Sequence, residues 1–117
     1  MSIAQQTLTN LVHYNLWTDV TVHDVQESAE STPYRFALLS GLPPSKLDQS
    51  DKEGLREWVI ARLLEDRHSS MSEIEQFFRA IESLAPRPKR VTLALVNDDA
   101  TVTYYFVHDG AIKPRQN

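Results

Sequence analysis

The side chains able to do chemistry in this chain of 117 residues are few and scattered. The four histidines, His13, His23, His68 and His108, never fall at metal-ligand spacing, and no second ligand type gathers around any of them. Cysteine is absent, which removes thiolate metal sites, disulfides and cysteine nucleophiles together. Gly41, Gly54 and Gly110 lie too far apart to cradle a phosphate. Ser69, Ser70 and Ser72 suit a helix start better than a nucleophile, because no GxSxG turn frames any of them. The carboxylates fall mostly where helix surfaces are expected, and there a solvated charge is the ordinary state. From this inventory no catalytic residue, metal or cofactor is expected.

One pair stands out. Tyr104 and Tyr105 are adjacent within the strand-like run from Thr101 to His108. Neighbouring strand residues point to opposite faces, so one ring packs inward and the other looks outward. A stacking platform for RNA bases interleaves basic residues with its aromatics, and this run has no lysine or arginine. An outward ring on a neutral strand suits a protein interface better. Charge agrees with that preference. The net charge is −4, and residues 1–86 carry 7 Lys/Arg against 13 Asp/Glu, whereas residues 87–117 carry 5 against 3. Such a molecule is not an electrostatic trap for nucleic acid.

The elements that must position these residues follow from periodicity. At 41% hydrophobic and 24% charged, the chain has ordinary globular composition and the length of one domain, 1–117. Its apolar runs fall far short of the roughly 20 residues a membrane span needs, and its start lacks the pattern of a secretory signal. Leu8, Leu11, Val12 and Leu16 share a helical face. Trp17 to Val25 alternates as a half-buried strand, Gln26 to Thr32 reads as a loop, and Tyr34 to Leu39 forms a second strand ending at Ser40-Gly41. Pro43 and Pro44 mark a loop over residues 42–50. Ser50 and Glu53 fit a capping box, and Leu55, Trp58, Val59 and Leu63 then predict a helix covered on two sides. Ser72 and Glu75 open another, whose stripe of Ile74, Phe77, Phe78, Ile81, Leu84 and Ala85 ends at Pro86. Val91 to Val96 is apolar on both faces, as in a central strand. Asn97 to Ala100 turns the chain into the strand Thr101–His108, and Ala111 to Lys113 suggests a short closing strand. The predicted class is α/β, a mixed sheet with flanking helices in the order α-β-β-α-α-β-β.

The C-terminal run Val91-Thr-Leu-Ala-Leu-Val-Asn-Asp-Asp-Ala-Thr-Val-Thr-Tyr-Tyr-Phe-Val107 resembles the closing hairpin of the tRNA-splicing endonuclease fold, which has a restriction-endonuclease-like core. A leading helix, a Trp17…Val20…Val22 strand, the run Leu38-Leu39-Ser40-Gly41-Leu42-Pro43 and the ending Asp109-Gly110-x-x-x-Pro114 narrow the resemblance to the small Sen-fifteen subunits. The resemblance implies membership of a heterotetramer that removes introns from precursor tRNA. In that family two subunits each supply a tyrosine, a histidine and a lysine, and leave a 2′,3′-cyclic phosphate and a 5′-hydroxyl. A base for the ribose 2′-hydroxyl, an acid for the leaving oxygen and a cation for the phosphorane are what such cleavage requires. The other two subunits keep the fold and lack the site. Here the stretch from Gly41 to Glu75 holds no tyrosine and only His68, although Lys89 falls close to the place of the family's lysine. The chain therefore sorts with the structural subunits.

By the same resemblance, Asn97, Asp98 and Asp99 form an acidic turn that enters a basic pocket of a subunit in the other heterodimer. Thr103, Tyr104, Tyr105, Phe106, Val107 and His108 form the strand that pairs with a catalytic partner. Tyr105 and Val107 are expected to face outward, with Val102, Tyr104 and Phe106 on the core. The implied partners are the catalytic subunit, the second catalytic and structural pair and, indirectly, precursor tRNA. The implied location is the nucleus, or the cytoplasm or mitochondrial surface to which the complex is carried. A hydrophobic edge is a liability unless paired, so the isolated chain is also expected to be able to form a homodimer.

Overall fold

The computed structural model describes residues 3–23, 36–45, 47, 54–64 and 71–109. Helix α1 (Ile3–Thr9) runs into a π-helical turn (Asn10–Tyr14), which is followed by β1 (Thr18–Val22), β2 (Ala37–Leu42), β3 (Glu57–Leu63), α2 (Met71–Glu82), β4 (Arg90–Val96) and β5 (Val102–His108). The strands form one sheet in the order β1-β2-β3-β4-β5. Only β3 and β4 are parallel, and α2 makes the crossover that a parallel pair needs.

The helix predicted beyond Ser50 is instead a strand, β3. Trp58, Val59, Ile60 and Ala61 form a short continuous apolar run rich in β-branched residues. Such a run at the middle of a sheet is buried on both faces, and periodicity alone does not separate it from a buried helix. Val59, Ile60 and Ala61 are fully buried. The order is therefore α-β-β-β-α-β-β, and the sheet has five strands. The capping box at Ser50 and Glu53, the loop at Gln26 to Thr32 and the closing strand at Ala111 to Lys113 lie outside the described residues.

The leading helix is shorter than its apolar pattern. The Thr7 hydroxyl donates to the Ile3 carbonyl within α1, and the Asn15 amide side chain donates to both the carbonyl and the side-chain oxygen of Asn10. Those bonds close the π turn, and Leu16 leaves it with φ of 60°. The Trp17 amide then returns to the Leu11 carbonyl. Gly41 is required where β1 crosses β2, since a Cβ there would meet Val20 Cγ2 at 2.9 Å and the Trp17 ring at 3.0 Å.

Alternation along the strands builds two cores, one on each face of the sheet. Phe36, Leu38, Ile60, Val91, Leu93 and Leu95 pack against Phe77, Phe78 and Ile81 of α2. Ala37, Leu39, Val59, Ala61 and Ala94 pack against Ala4, Leu11 and Trp17 beneath α1. The smaller residues on the α1 face let the short helix sit close. β4, predicted to be central, is buried along its whole length.

Candidate functional site: the last hairpin and its outer edge

The β4–β5 hairpin pairs in continuous register from Arg90 opposite His108 to Val96 opposite Val102. β4 has β3 and β5 along its two edges, and β5 is the outermost strand among the described residues. The hairpin turn is held by local bonds. The Asn97 amide donates to the Thr101 carbonyl (2.8 Å), and the Ala100 amide donates to the Asn97 carbonyl (3.0 Å). Thr101 donates to Asp99 Oδ1 through its hydroxyl (2.6 Å) and its amide (3.1 Å), and these bonds lower the Asp99 pKa below the usual carboxylate value. Ala100 takes the left-handed conformation, with φ of 74°. Asn97, Asp98 and Asp99 are all exposed, so the turn presents its carboxylates to solvent.

Both faces of β5 continue a core. Val102 and Tyr104 pack with the α1 face, and Val107 packs with the α2 face. The Tyr104 hydroxyl donates to Asn10 Oδ1 at 2.6 Å, and burial raises the phenol above its ordinary pKa. Tyr105 lies opposite Leu93 and is 54% exposed, whereas Phe106 lies opposite Thr92 and is 46% exposed. The guanidinium of Arg90 covers the Phe106 ring at 4.6 Å. Tyr105 thus faces outward as expected, but Val107 does not, and Phe106 is exposed in its place. Helices cover both faces of the sheet, so alternation along β5 does not divide core from solvent. Thr103 and His108 are exposed.

Two charged devices that periodicity does not reveal hold this hairpin. On the α1 face Glu57 of β3 accepts from Arg90 (3.0 Å) and from the Thr92 hydroxyl (2.7 Å) of β4, and all three side chains are buried. At the other face Arg87 donates to Asp109 (2.8 Å), Glu75 (2.9 Å) and Glu82 (3.1 Å), with its guanidinium over Phe78 at 5.1 Å. Arg87 lowers the carboxyl pKa values of Asp109 and Glu75, the latter with help from Arg79. The Asp109 amide also donates to the Lys89 carbonyl, so the end of β5 is tied to the entry of β4. Reading β3 as a helix hides the Glu57–Arg90 pair, because the two residues are neighbours only across strands.

Lys89 is exposed and borders a cleft of about 420 Å3, together with Arg56, Trp58, Arg87 and Arg90. Among the described residues, neither tyrosine nor histidine lines that cleft. His68 lies outside the described residues. His23 stacks on Trp58 at 5.0 Å and shares a hydrogen bond of 2.9 Å with Ser40, which also accepts from Arg56. Ser40 is buried, whereas Arg56 and Trp58 also line the cleft beside Lys89. Arg56 is further held by an ion pair with Asp19. Among the described residues, no three of His, Asp and Glu converge as metal ligands would.

Among known proteins, the family model described as Sen15 protein matches residues 6–117. The tRNA-splicing endonuclease subunit SEN15 of Eremothecium gossypii is 36% identical over 108 residues, which are 92% of this chain and 85% of that protein. The probable tRNA-splicing endonuclease subunit tsp-1 of Neurospora crassa is 38% identical over a stretch covering 52% of this chain and 36% of that protein.

Proposed function

The chain belongs to the Sen15 family, and from that premise we propose that it serves the tRNA-splicing endonuclease as a non-catalytic, structural subunit. In this reading the domain has a tRNA-endonuclease-like core and adds its outer strand to the sheet of a catalytic partner. The single observation that carries the reading is the side of β5 that no other described strand pairs, with half-exposed Tyr105 and Phe106 next to an exposed acidic turn. Backbone donors and acceptors along an outer strand form a ready template for another strand. The non-catalytic part is supported because no described tyrosine or histidine lines the cleft beside Lys89, and cleavage through a ribose 2′-hydroxyl needs a base and an acid near the cation. Precursor tRNA is then met by the complex, with its chemistry supplied by the partners.

The acidic turn joins one heterodimer to the other. Asp98 carries this role better than Asp99, whose Oδ1 already accepts two bonds from Thr101. Asp98→Lys is expected to leave the fold unchanged, because an exposed turn residue has few contacts to lose. It should weaken tetramer assembly about tenfold or more while this chain's own heterodimer stays intact. Analytical ultracentrifugation of the reconstituted subunits across a salt series checks this. A variant tetramer as stable as the wild type at every salt concentration removes the turn from the assembly.

A further inference from the structure

The α1 face of the sheet bears an apolar pocket of about 190 Å3, bordered by Leu11, Asn15, Trp17, Leu47 and Thr92 and by Tyr104, Tyr105 and Phe106 of β5. None of these side chains is charged at neutral pH. Of the polar groups, the Tyr104 hydroxyl and the Asn15 amide donate to Asn10 and the Thr92 hydroxyl donates to Glu57, whereas the Tyr105 side chain is half-exposed. The pocket therefore offers little to a polar ligand and much to an apolar one.

The chain beside it carries a second, independent peculiarity. Leu16, between the bordering residues Asn15 and Trp17, has φ of 60° and is 64% exposed. A leucine in the left-handed region costs about 1–2 kcal/mol, and exposure gives the free monomer nothing in return. Tyr14, two residues earlier, is 78% exposed. Strain held in an exposed apolar residue points to a contact that the lone chain does not make.

We infer that a partner strand added to β5 presents one large apolar side chain to this pocket, and that Tyr14 and Leu16 belong to the same contact. The inference rests on the reading of β5 as the subunit interface. A strand paired with β5 runs about 4.8 Å from it and sends every second side chain to the same face, at steps of roughly 6.8 Å. On the α1 face those side chains stand beside Tyr104 and Phe106, which border the pocket. An apolar cavity of about 150 Å3 takes up benzene, so the volume here suits a phenylalanine, leucine or isoleucine. A lysine or glutamate at that register would lose its solvation, and Arg90, over the Phe106 ring, is already paired with Glu57. The pocket thus selects a partner by one apolar side chain, in addition to the backbone pairing that any strand can offer.

The test measures capture of the catalytic endonuclease subunit of the same organism by the purified chain and three variants. Leu16→Gly relieves the strain, because glycine tolerates positive φ, and removes the exposed side chain. Its thermal midpoint should equal or exceed that of the wild type, while the dissociation constant for the partner rises about tenfold. Leu47→Trp fills the pocket from its rim and should weaken capture to a similar degree with an unchanged circular dichroism spectrum. Tyr105→Glu tests β5 itself, because its side chain alternates with those of Tyr104 and Phe106 although the residue borders the pocket. If Tyr105→Glu loses capture while both other variants bind as the wild type does, the pocket inference is overturned and the β5 reading stands. If Tyr105→Glu binds normally, the β5 reading fails and takes the inference with it. Self-association of the free chain that both pocket variants abolish would put a second copy in the pocket and overturn the assignment of its occupant.

Discussion

Tyr105→Glu is expected to yield a folded monomer that no longer captures the proposed catalytic partner, whereas Tyr104→Glu is expected to lose the fold itself. The two residues are neighbours in sequence and opposites in environment. Tyr105 is 54% exposed above Leu93, so a carboxylate there keeps its water in the free chain. In a complex the same carboxylate sits where two sheets join, deprived of solvent and of a partner. Buried interface tyrosines cost about 2–4 kcal/mol when lost, which is some 30- to 1000-fold in affinity, and an unpaired charge adds to that. Tyr104 packs with the α1 face and donates to Asn10, 94 residues earlier in the chain. A glutamate in its place breaks the link between the π turn and β5 and buries a charge beneath α1. Light scattering and circular dichroism on both variants decide the matter. A Tyr105→Glu protein that assembles normally contradicts the interface.

A second large effect is expected from Glu57→Ala. Glu57 and Arg90 are both buried, and Glu57 also accepts from Thr92. Removing the carboxylate leaves a buried guanidinium without its counter-ion, a loss of about 3–5 kcal/mol in comparable cases. A domain of this size has only about 5–15 kcal/mol of stability in all, so the variant should unfold at far lower urea concentration or fail to accumulate. Replacing the pair together, Glu57→Leu with Arg90→Met, should recover most of the loss, since two matched apolar groups need no counter-charge. A Glu57→Ala protein with wild-type stability would mean that the pair carries no weight. Because Arg90 also covers Phe106, the double variant should retain its fold while exposing more of β5.

The C-terminal half was largely legible in the sequence. The stripe of α2, the doubly buried β4 and the strand β5 follow from patterns long enough for only one period to fit them. β3 did not, because a short apolar run such as Val59-Ile60-Ala61, buried on both faces, satisfies a helical spacing and a strand equally well. That one misreading also concealed the five-stranded sheet, the parallel β3–β4 pair and the Glu57–Arg90–Thr92 cluster, all of which depend on contacts across strands. The interface residues were legible as a run but not face by face. Phe106 and Val107 exchange their expected exposure because helices flank both sides of the sheet. The pocket beneath Tyr104 and Phe106 left no sequence signal, since it joins the π turn to β5 from opposite ends of the chain.

The structural role is tested most directly by cleavage of precursor tRNA in a complex reconstituted from the four subunits, with Lys89→Ala in this chain. Lys89 stands in a cleft that no described tyrosine or histidine lines, so the account predicts that both splice junctions are cut at the wild-type rate. Omission of the chain should abolish accurate cutting, because its partner is then left with an unpaired edge. If Lys89→Ala selectively abolishes cleavage at one junction while the complex stays assembled, this chain carries part of an active site and the account is contradicted.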